Sequence, residues 1–350
     1  VSTNSFAVFA NETSISLSPE EIERELISMW KPINEAHGAS VSRVVLGNVL
    51  WLGFSDRLEK VRAIFSRVVP KYPARVFLLE YQRDHPSAEM RAAVNAQCFV
   101  PAPGEPPVCC EVIHLAFGPA AARHVRGAVA PLLVPDVQTV LWTTIGCVPF
   151  DYLGDLQQHV DRTIRMASLA RSVPDQLQSF LHATHPTIDL SWFRTTPLRE
   201  QVTAFFDDLR IGFDLRSIQR VQIDSGTQDP LCSLVAAMFL GWLGSRLGWT
   251  AEAMPELIRR EVGQSGHRVI RLQDGAGGIF EVDLTAGGMA LRCSVAGGPT
   301  TERHLRTHEL SEEEALGLAL NTPSRARHFK EAAALAVPIL RRLERPAHVA

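Results

Sequence analysis

Nothing in the 350-residue sequence is apolar for long enough to cross a bilayer as a helix. The longest apolar run, Leu231 to Leu243, stops about half a dozen residues short of a span and meets Gly244, Ser245 and Arg246 at once, so it reads as a buried helix. No charged segment followed by an apolar core opens the sequence, and a cytoplasmic protein without a membrane partner is expected. An excess of one charge is also missing. The 35 basic and 38 acidic residues leave a formal charge of −3, which gives no global attraction for nucleic acid or anionic lipid. No basic stripe carries interleaved aromatics, so nucleic acid is not an expected partner.

Chemistry-bearing patterns are equally sparse. The six cysteines, Cys98, Cys109, Cys110, Cys147, Cys232 and Cys293, show no Cys-x-x-Cys spacing for zinc or a redox loop. Buried, reduced thiols are the expectation. Cys109 and Cys110 are the candidate redox positions, but neighbours in a strand point to opposite faces and would not pair with each other. The Gly-x-Gly-x-x-Gly fingerprint is absent. Its nearest substitute is Gly118, where a strand turns toward a helix near His114 and Arg123; Pro119 removes one of the N–H donors an anion would need, so helix packing is expected and no cofactor. His304 and His308 have helical metal spacing, yet the segment reads as a strand and His308-Glu309-Leu310-Ser311-Glu312 lacks a second histidine, so no metal is expected.

What is present is the pattern of an ordinary globular protein, 46% apolar and 21% charged, long enough for one large or two medium domains. Residues 1–17 read as a polar arm with little periodicity. Ser18 and Glu21 form a capping box with Pro19 at the first helical position, and Ile22, Leu26 and Trp30 share one stripe. Strands are predicted over 41–52, 75–81, 92–100, 108–117 and 138–142, with another over 162–167. Helices are predicted from Ser55 to Pro70 and from Gly118 to about Val129. Pro101, Pro103, Pro106 and Pro107 leave room only for a loop, which makes the strands around them antiparallel neighbours. This rhythm gives a mixed-sheet α/β domain over 18–185.

A second α/β (α+β) domain is expected over 186–350. A helix near 175–183 leads into it, and a helix over 196–209 and a strand over 217–224 follow. Asp229-Pro230 then caps the apolar helix 231–247, which Gly248 closes in left-handed backbone. Ala237, Gly241 and Gly244 put small residues on one side, so another element is expected to approach there. Three strands at 267–272, 279–284 and 289–294 are joined by glycine-rich hairpins. Ser311 and Glu314 cap a further helix, and Pro338 is expected to kink or divide a last one over 324–343.

The two halves meet near Asp189-Leu190-Ser191-Trp192-Phe193-Arg194-Thr195-Thr196-Pro197-Leu198-Arg199-Glu200. Thr196 is the expected N-cap and Pro197 the first helical residue, with Val202, Phe205, Phe206 and Leu209 on one apolar face. This stretch resembles the Asp-Leu-(Ala or Ser)-Trp-x-Arg-x-Thr-Pro-x-Arg-Glu signature of the glucose-6-phosphate dehydrogenase assembly protein (OpcA) family. Pro73-Ala74-Arg75-Val76-Phe77, Cys110-Glu111-Val112-Ile113, Leu132 to Trp142 and Leu240 to Trp249 resemble further family blocks, spanning roughly 70–250. Leu198 stands where the family pattern has Trp, and Gln138 where it has Pro.

The resemblance implies a noncatalytic assembly factor or allosteric activator that binds glucose-6-phosphate dehydrogenase in the oxidative pentose phosphate pathway. A dehydrogenase itself would need the missing dinucleotide fingerprint and an Arg-Ile-Asp-His-Tyr-Leu-Gly-Lys type motif, so an enzyme is not expected. Trp192, Arg194 and Arg199 are the candidate partner-binding residues, Trp and Arg being the composition of interface hot spots. The alternative is a sensor or enzyme for a small phosphorylated metabolite, held by Arg123 or the signature arginines.

Overall fold

The computed structural model describes residues 6–15, 18–37, 42–85, 89–100, 107–144, 154–208, 211–225, 230–261, 267–285, 288–322 and 326–344. Cys147, Leu209, Asp229, Ser324 and the prolines 101, 103 and 106 lie outside these residues. The chain divides into two units: Val1–Met166 with Thr184–Thr187 and Leu316–Ser324, and Ala167–Ala183 with Ile188–Ala315 and Arg325–Ala350. The expected division between 185 and 186 is therefore displaced. Segment 167–183 joins the second unit because helix α5 (Val173–Leu181) packs on the C-terminal helix α10 (Ala326–Leu343).

The first unit holds a nine-stranded mixed sheet. Its centre is parallel: β3 (Gly47–Phe54) lies between β4 (Ala74–Tyr81) and β7 (Gln138–Thr143), with β6 (Val108–Phe117) beyond β4 and β8 (Arg162–Arg165) beyond β7. β5 (Arg91–Phe99) runs antiparallel to β6, as the proline-rich connection requires. Short β9 (Thr187–Asp189) follows at the far edge, and β2 (Ser42–Arg43) pairs with β6. The central strands are buried residue after residue because helices cover both faces. Helix α1 (Pro19–His37) places Ile22, Leu26 and Met29 over Leu50, Phe77 and Ile113 on one face. Helix α2 (Leu58–Val68) turns Val61, Ile64, Phe65 and Val68 inward, with Phe65 edge-on to Trp142 at 5.8 Å. Ser18 Oγ accepts from the Glu21 N–H, as the capping pattern predicts.

Two expectations fail here. Residues 6–15, expected as an arm, form strand β1, antiparallel to β5. Main-chain hydrogen bonds to an open sheet edge need no hydrophobic periodicity, so the strand left no pattern to read. The helix expected from Gly118 is instead a turn, then a 3₁₀ turn and the five-residue helix α3 (Val125–Val129). Gly118 matters for its missing side chain, since a Cβ there would run into the His85 carbonyl.

The second unit carries a six-stranded sheet in the order β11 (Glu256–Glu261), β10 (Ile218–Ser225), β12 (Arg268–Asp274), β13 (Ile279–Thr285), β14 (Gly288–Ser294) and β15 (Thr300–Leu305). All pairs are antiparallel except β10–β11. Burial alternates along the strands, so one face is covered and the other open. On the open face Gln222, Arg271, Glu281, Arg292 and Glu302 stand directly opposite one another across five strands.

The covered face meets Phe205 and Phe206, whose rings lie 5.4 and 4.7 Å from that of Phe280. Buried helix α8 (Pro230–Leu247) ends at Gly248, with φ of 77° as expected. It packs along α10, and a Cβ at Gly241 would strike the Ala332 carbonyl. Helix α10 runs unbroken through Pro338, so the expected division into two helices does not occur. Its long contact with α8 holds the helix through the one lost backbone hydrogen bond. Ser311 and the Glu314 carboxylate cap helix α9 (Glu312–Asn321) reciprocally.

Candidate interaction site

The signature folds into a tight corner between two short helices. Asp189 opens α6 (Leu190–Arg194), its carboxylate accepting from the Ser191 N–H at 2.8 Å and the Ala167 N–H at 2.6 Å. Thr195, not Thr196, precedes α7 (Thr196–Phe206). Its hydroxyl donates to the Trp192 carbonyl at 2.8 Å, and so closes α6 rather than capping α7. Pro197 sits inside the first turn of α7, where its missing N–H costs no bond.

The three candidate contact residues occupy different environments. Trp192 is 8% exposed and meets Phe329 edge-on at 6.3 Å. Arg199 lies flat on the Trp192 ring, 3.6 Å from its centroid, and donates to the Trp192 carbonyl and the Thr196 hydroxyl. Burial, helped by the Arg246 charge and opposed by Glu200, lowers its pKa to about 10. Arg194 turns the other way and pairs with Glu309 at 2.9 Å. Trp192 and Arg199 form one stacked unit; Arg194 belongs to a separate ion-pair cluster with Arg268. Leu198, which replaces the family's Trp, is buried.

Cys98 and Cys109, directly opposite in the β5–β6 pair, form a disulfide. The expectation of reduced thiols throughout is corrected at these two positions. Their partnership needs the strand register, which no spacing of cysteines reveals. Cys110 faces the other side, as alternation requires; it is buried, and burial pushes its thiol up to about 12. Such a thiol stays protonated at neutral pH and is a poor nucleophile.

His304 is exposed beside Glu302, and His308 lies 3.5 Å from Glu314. Among the described residues no three metal-ligating side chains gather. Arg123 is exposed, with its Nε on His124.

Two of the quoted sequence blocks turn out to be halves of one interaction. Arg75, from the Pro-Ala-Arg-Val block, is buried against fully buried Glu111, from the Glu-Val-Ile block, at 2.7 Å. Glu23, the Trp30 indole N–H and the Leu132 carbonyl complete the cluster. Sequence reasoning placed both residues in motifs without joining them. It also missed Arg162, whose guanidinium donates to the carbonyls of Leu320 and Thr322, and the Glu80–His114 pair at 2.8 Å. Each joins residues more than thirty positions apart; Arg75, Glu80 and Glu111 are charged residues beside or within apolar runs, whereas Arg162, between Asp161 and Thr163, carries no such signal.

Residues 66–181 match the family described as the glucose-6-phosphate dehydrogenase subunit N-terminal domain, and residues 185–333 the corresponding C-terminal domain. The chain belongs to the OpcA family. A protein of Nostoc punctiforme named "Putative OxPP cycle protein OpcA" is 28% identical over 165 residues, 46% of this chain and 35% of that protein. Its namesake in Synechocystis sp. is 26% identical over 196 residues, 53% of this chain and 40% of that protein. The matched stretch thus spans less than half the length of these OpcA relatives. A crystal structure of an oxidoreductase from Bacillus cereus aligns over 86% of this chain and 96% of its own, at 10% identity and a TM-score of 0.40.

Proposed function

We infer that this OpcA-family chain is a noncatalytic assembly factor that binds glucose-6-phosphate dehydrogenase and promotes its active form, in the cytoplasm and within the oxidative pentose phosphate pathway. The observation that carries this reading is the pair of family matches, 66–181 and 185–333, both described as domains of a glucose-6-phosphate dehydrogenase subunit. The activation is a matter of linkage. A protein that binds the active conformation or oligomer of its partner more tightly than the inactive one shifts the population by the ratio of the two affinities. Trp192 and Arg199 enter as the stacked pair that fixes the α6–α7 corner, and Arg194 as a largely buried charge beside it.

The test is the initial rate of the dehydrogenase of the same organism against glucose 6-phosphate, with and without this chain, and of this chain alone. Turnover is expected only with the dehydrogenase present, with a lower half-saturation or a higher maximum rate when the chain is added. Trp192→Ala and Arg199→Ala are expected to lose most of that gain. An unchanged rate together with no co-elution would end the proposal.

A further inference from the structure

Glu309 stands between two arginines that have no other acid to answer among the described residues. Its Oε1 accepts from Arg194 at 2.9 Å and its Oε2 from Arg268 at 3.3 Å. Among the described residues neither guanidinium has a second carboxylate within ion-pair distance. Both arginines are largely buried, with side chains 16% and 8% exposed. Two positive charges thus share one negative charge in a poorly hydrated place, and Nε of Arg268 has no hydrogen-bond partner among the described residues. Buried donors left unmade are costly, so such an imbalance calls for more acceptor atoms than one carboxylate offers.

The three residues differ in how they are held. Arg194 ends helix α6, and Arg268 begins strand β12, between Ser225 of β10 and Leu284 of β13. Glu309 sits in the irregular stretch 306–311 between β15 and α9 and is the most exposed of the three. The cations are fixed by regular structure and the anion hangs from a loop.

We propose that Arg194 and Arg268 form an anion cradle for a phosphate dianion or phosphate monoester, which Glu309 fills in its absence. A tetrahedral phosphate brings two negative charges and up to four acceptor oxygens, enough to balance both guanidiniums and to reach the idle Nε of Arg268. Binding requires the 306–311 loop to withdraw, so Glu309 is an internal competitor that weakens the apparent affinity. This inference stands apart from the dehydrogenase reading, since the cradle would bind its anion whether or not the chain has a protein partner.

The experiment is calorimetric titration of inorganic phosphate into the whole chain, at fixed ionic strength with chloride as the balancing anion. Wild type, Glu309→Gln and Glu309→Ala are compared, each with and without Arg268→Met. Removing the competitor is expected to tighten phosphate binding by about tenfold or more, in both Glu309 variants, and Arg268→Met is expected to abolish the gain. Folded Glu309 variants that bind phosphate no better than wild type overturn the proposal. So does a gain that survives Arg268→Met, because the anion then sits elsewhere. Should both Glu309 variants unfold in chloride, refolding on adding phosphate supports the cradle, and failure to refold counts against it.

Discussion

Two ion-pair clusters, one in each unit of this chain, deal with charge in opposite ways. In the first, the parallel strands are covered on both faces, and Arg75 and Glu111 are buried against each other, with partly exposed Glu23 and Trp30 and the Leu132 carbonyl around them. In the second, a ladder of Arg271, Glu281, Arg292 and Glu302 lies along the open sheet face, with contacts of 2.6 to 2.9 Å. The same residue types at similar distances differ in what surrounds them. Water screens and solvates the ladder, so each pair is worth little; the buried pair has only its neighbours, so losing one member costs the other its buried counter-charge.

The sharpest way to break this comparison is Glu111→Ala, which removes the fully buried carboxylate and leaves Arg75 with the partly exposed Glu23 alone. It is expected to lower unfolding stability by about 3–5 kcal/mol, read by urea titration with hydrogen exchange resolving the two units. Pairing Arg75→Met with Glu111→Leu is expected to restore much of the loss, because a buried ion pair is weak evidence of net stability. Little loss from Glu111→Ala alone would show that water reaches the pair and that the contrast between the units is false.

Second in size is Gly241→Leu, which drives a side chain into the Ala332 carbonyl across the α8–α10 contact. Overpacking of this kind costs about 1–3 kcal/mol, occasionally more, and should appear in the second unit. An unchanged melting temperature would remove the close-packing role.

A smaller effect separates the units by pH. Glu80 is held down to about 2, chiefly by its hydrogen bond with His114 and against the cost of burial. A carboxylate depressed in the folded state adds stability that is complete above its ordinary value near 4.5 and is lost as pH falls toward 2. Glu80→Gln is expected to flatten the stability profile of the first unit over that window and to leave the second unit's profile unchanged. A parallel profile in wild type and variant would show that Glu80 titrates alike in both states.

The smallest expected change is Arg292→Ala on the open ladder, less than about 1 kcal/mol and reduced further by salt. A loss rivalling that of Glu111→Ala would mean that the ladder acts as one cooperative network.

The contrast between the units also explains which parts of the fold were legible. Strands β3, β4, β6 and β7 announce themselves as apolar runs, and β12 to β14 by alternation between glycine-rich turns. The caps at Ser18 and Ser311 are local, with donor and acceptor three residues apart, so spacing alone gives them. Strand β11 escaped notice because Glu256–Glu261 holds four charged residues in six, and only its parallel pairing with β10 makes it a strand. The signature itself was legible as a motif but not as a place. The cap expected there was Thr196, whereas the structure puts one at Asp189, and the burial of Trp192 depends on Phe329, far along the chain.

The sequence by itself determined most of the elements, the caps at Ser18 and Ser311 and the family, because those rest on periodicity, on turn residues and on motifs written in order. The tertiary structure alone decided the Cys98–Cys109 bond, the Arg75–Glu111 pair, the pairing of β1 with β5, and the meeting of Arg194 and Arg268 on Glu309. Each of these joins groups brought together by strand register or helix packing. A side chain's partner across the fold leaves no mark in its own neighbourhood, and burial sets what the partnership is worth.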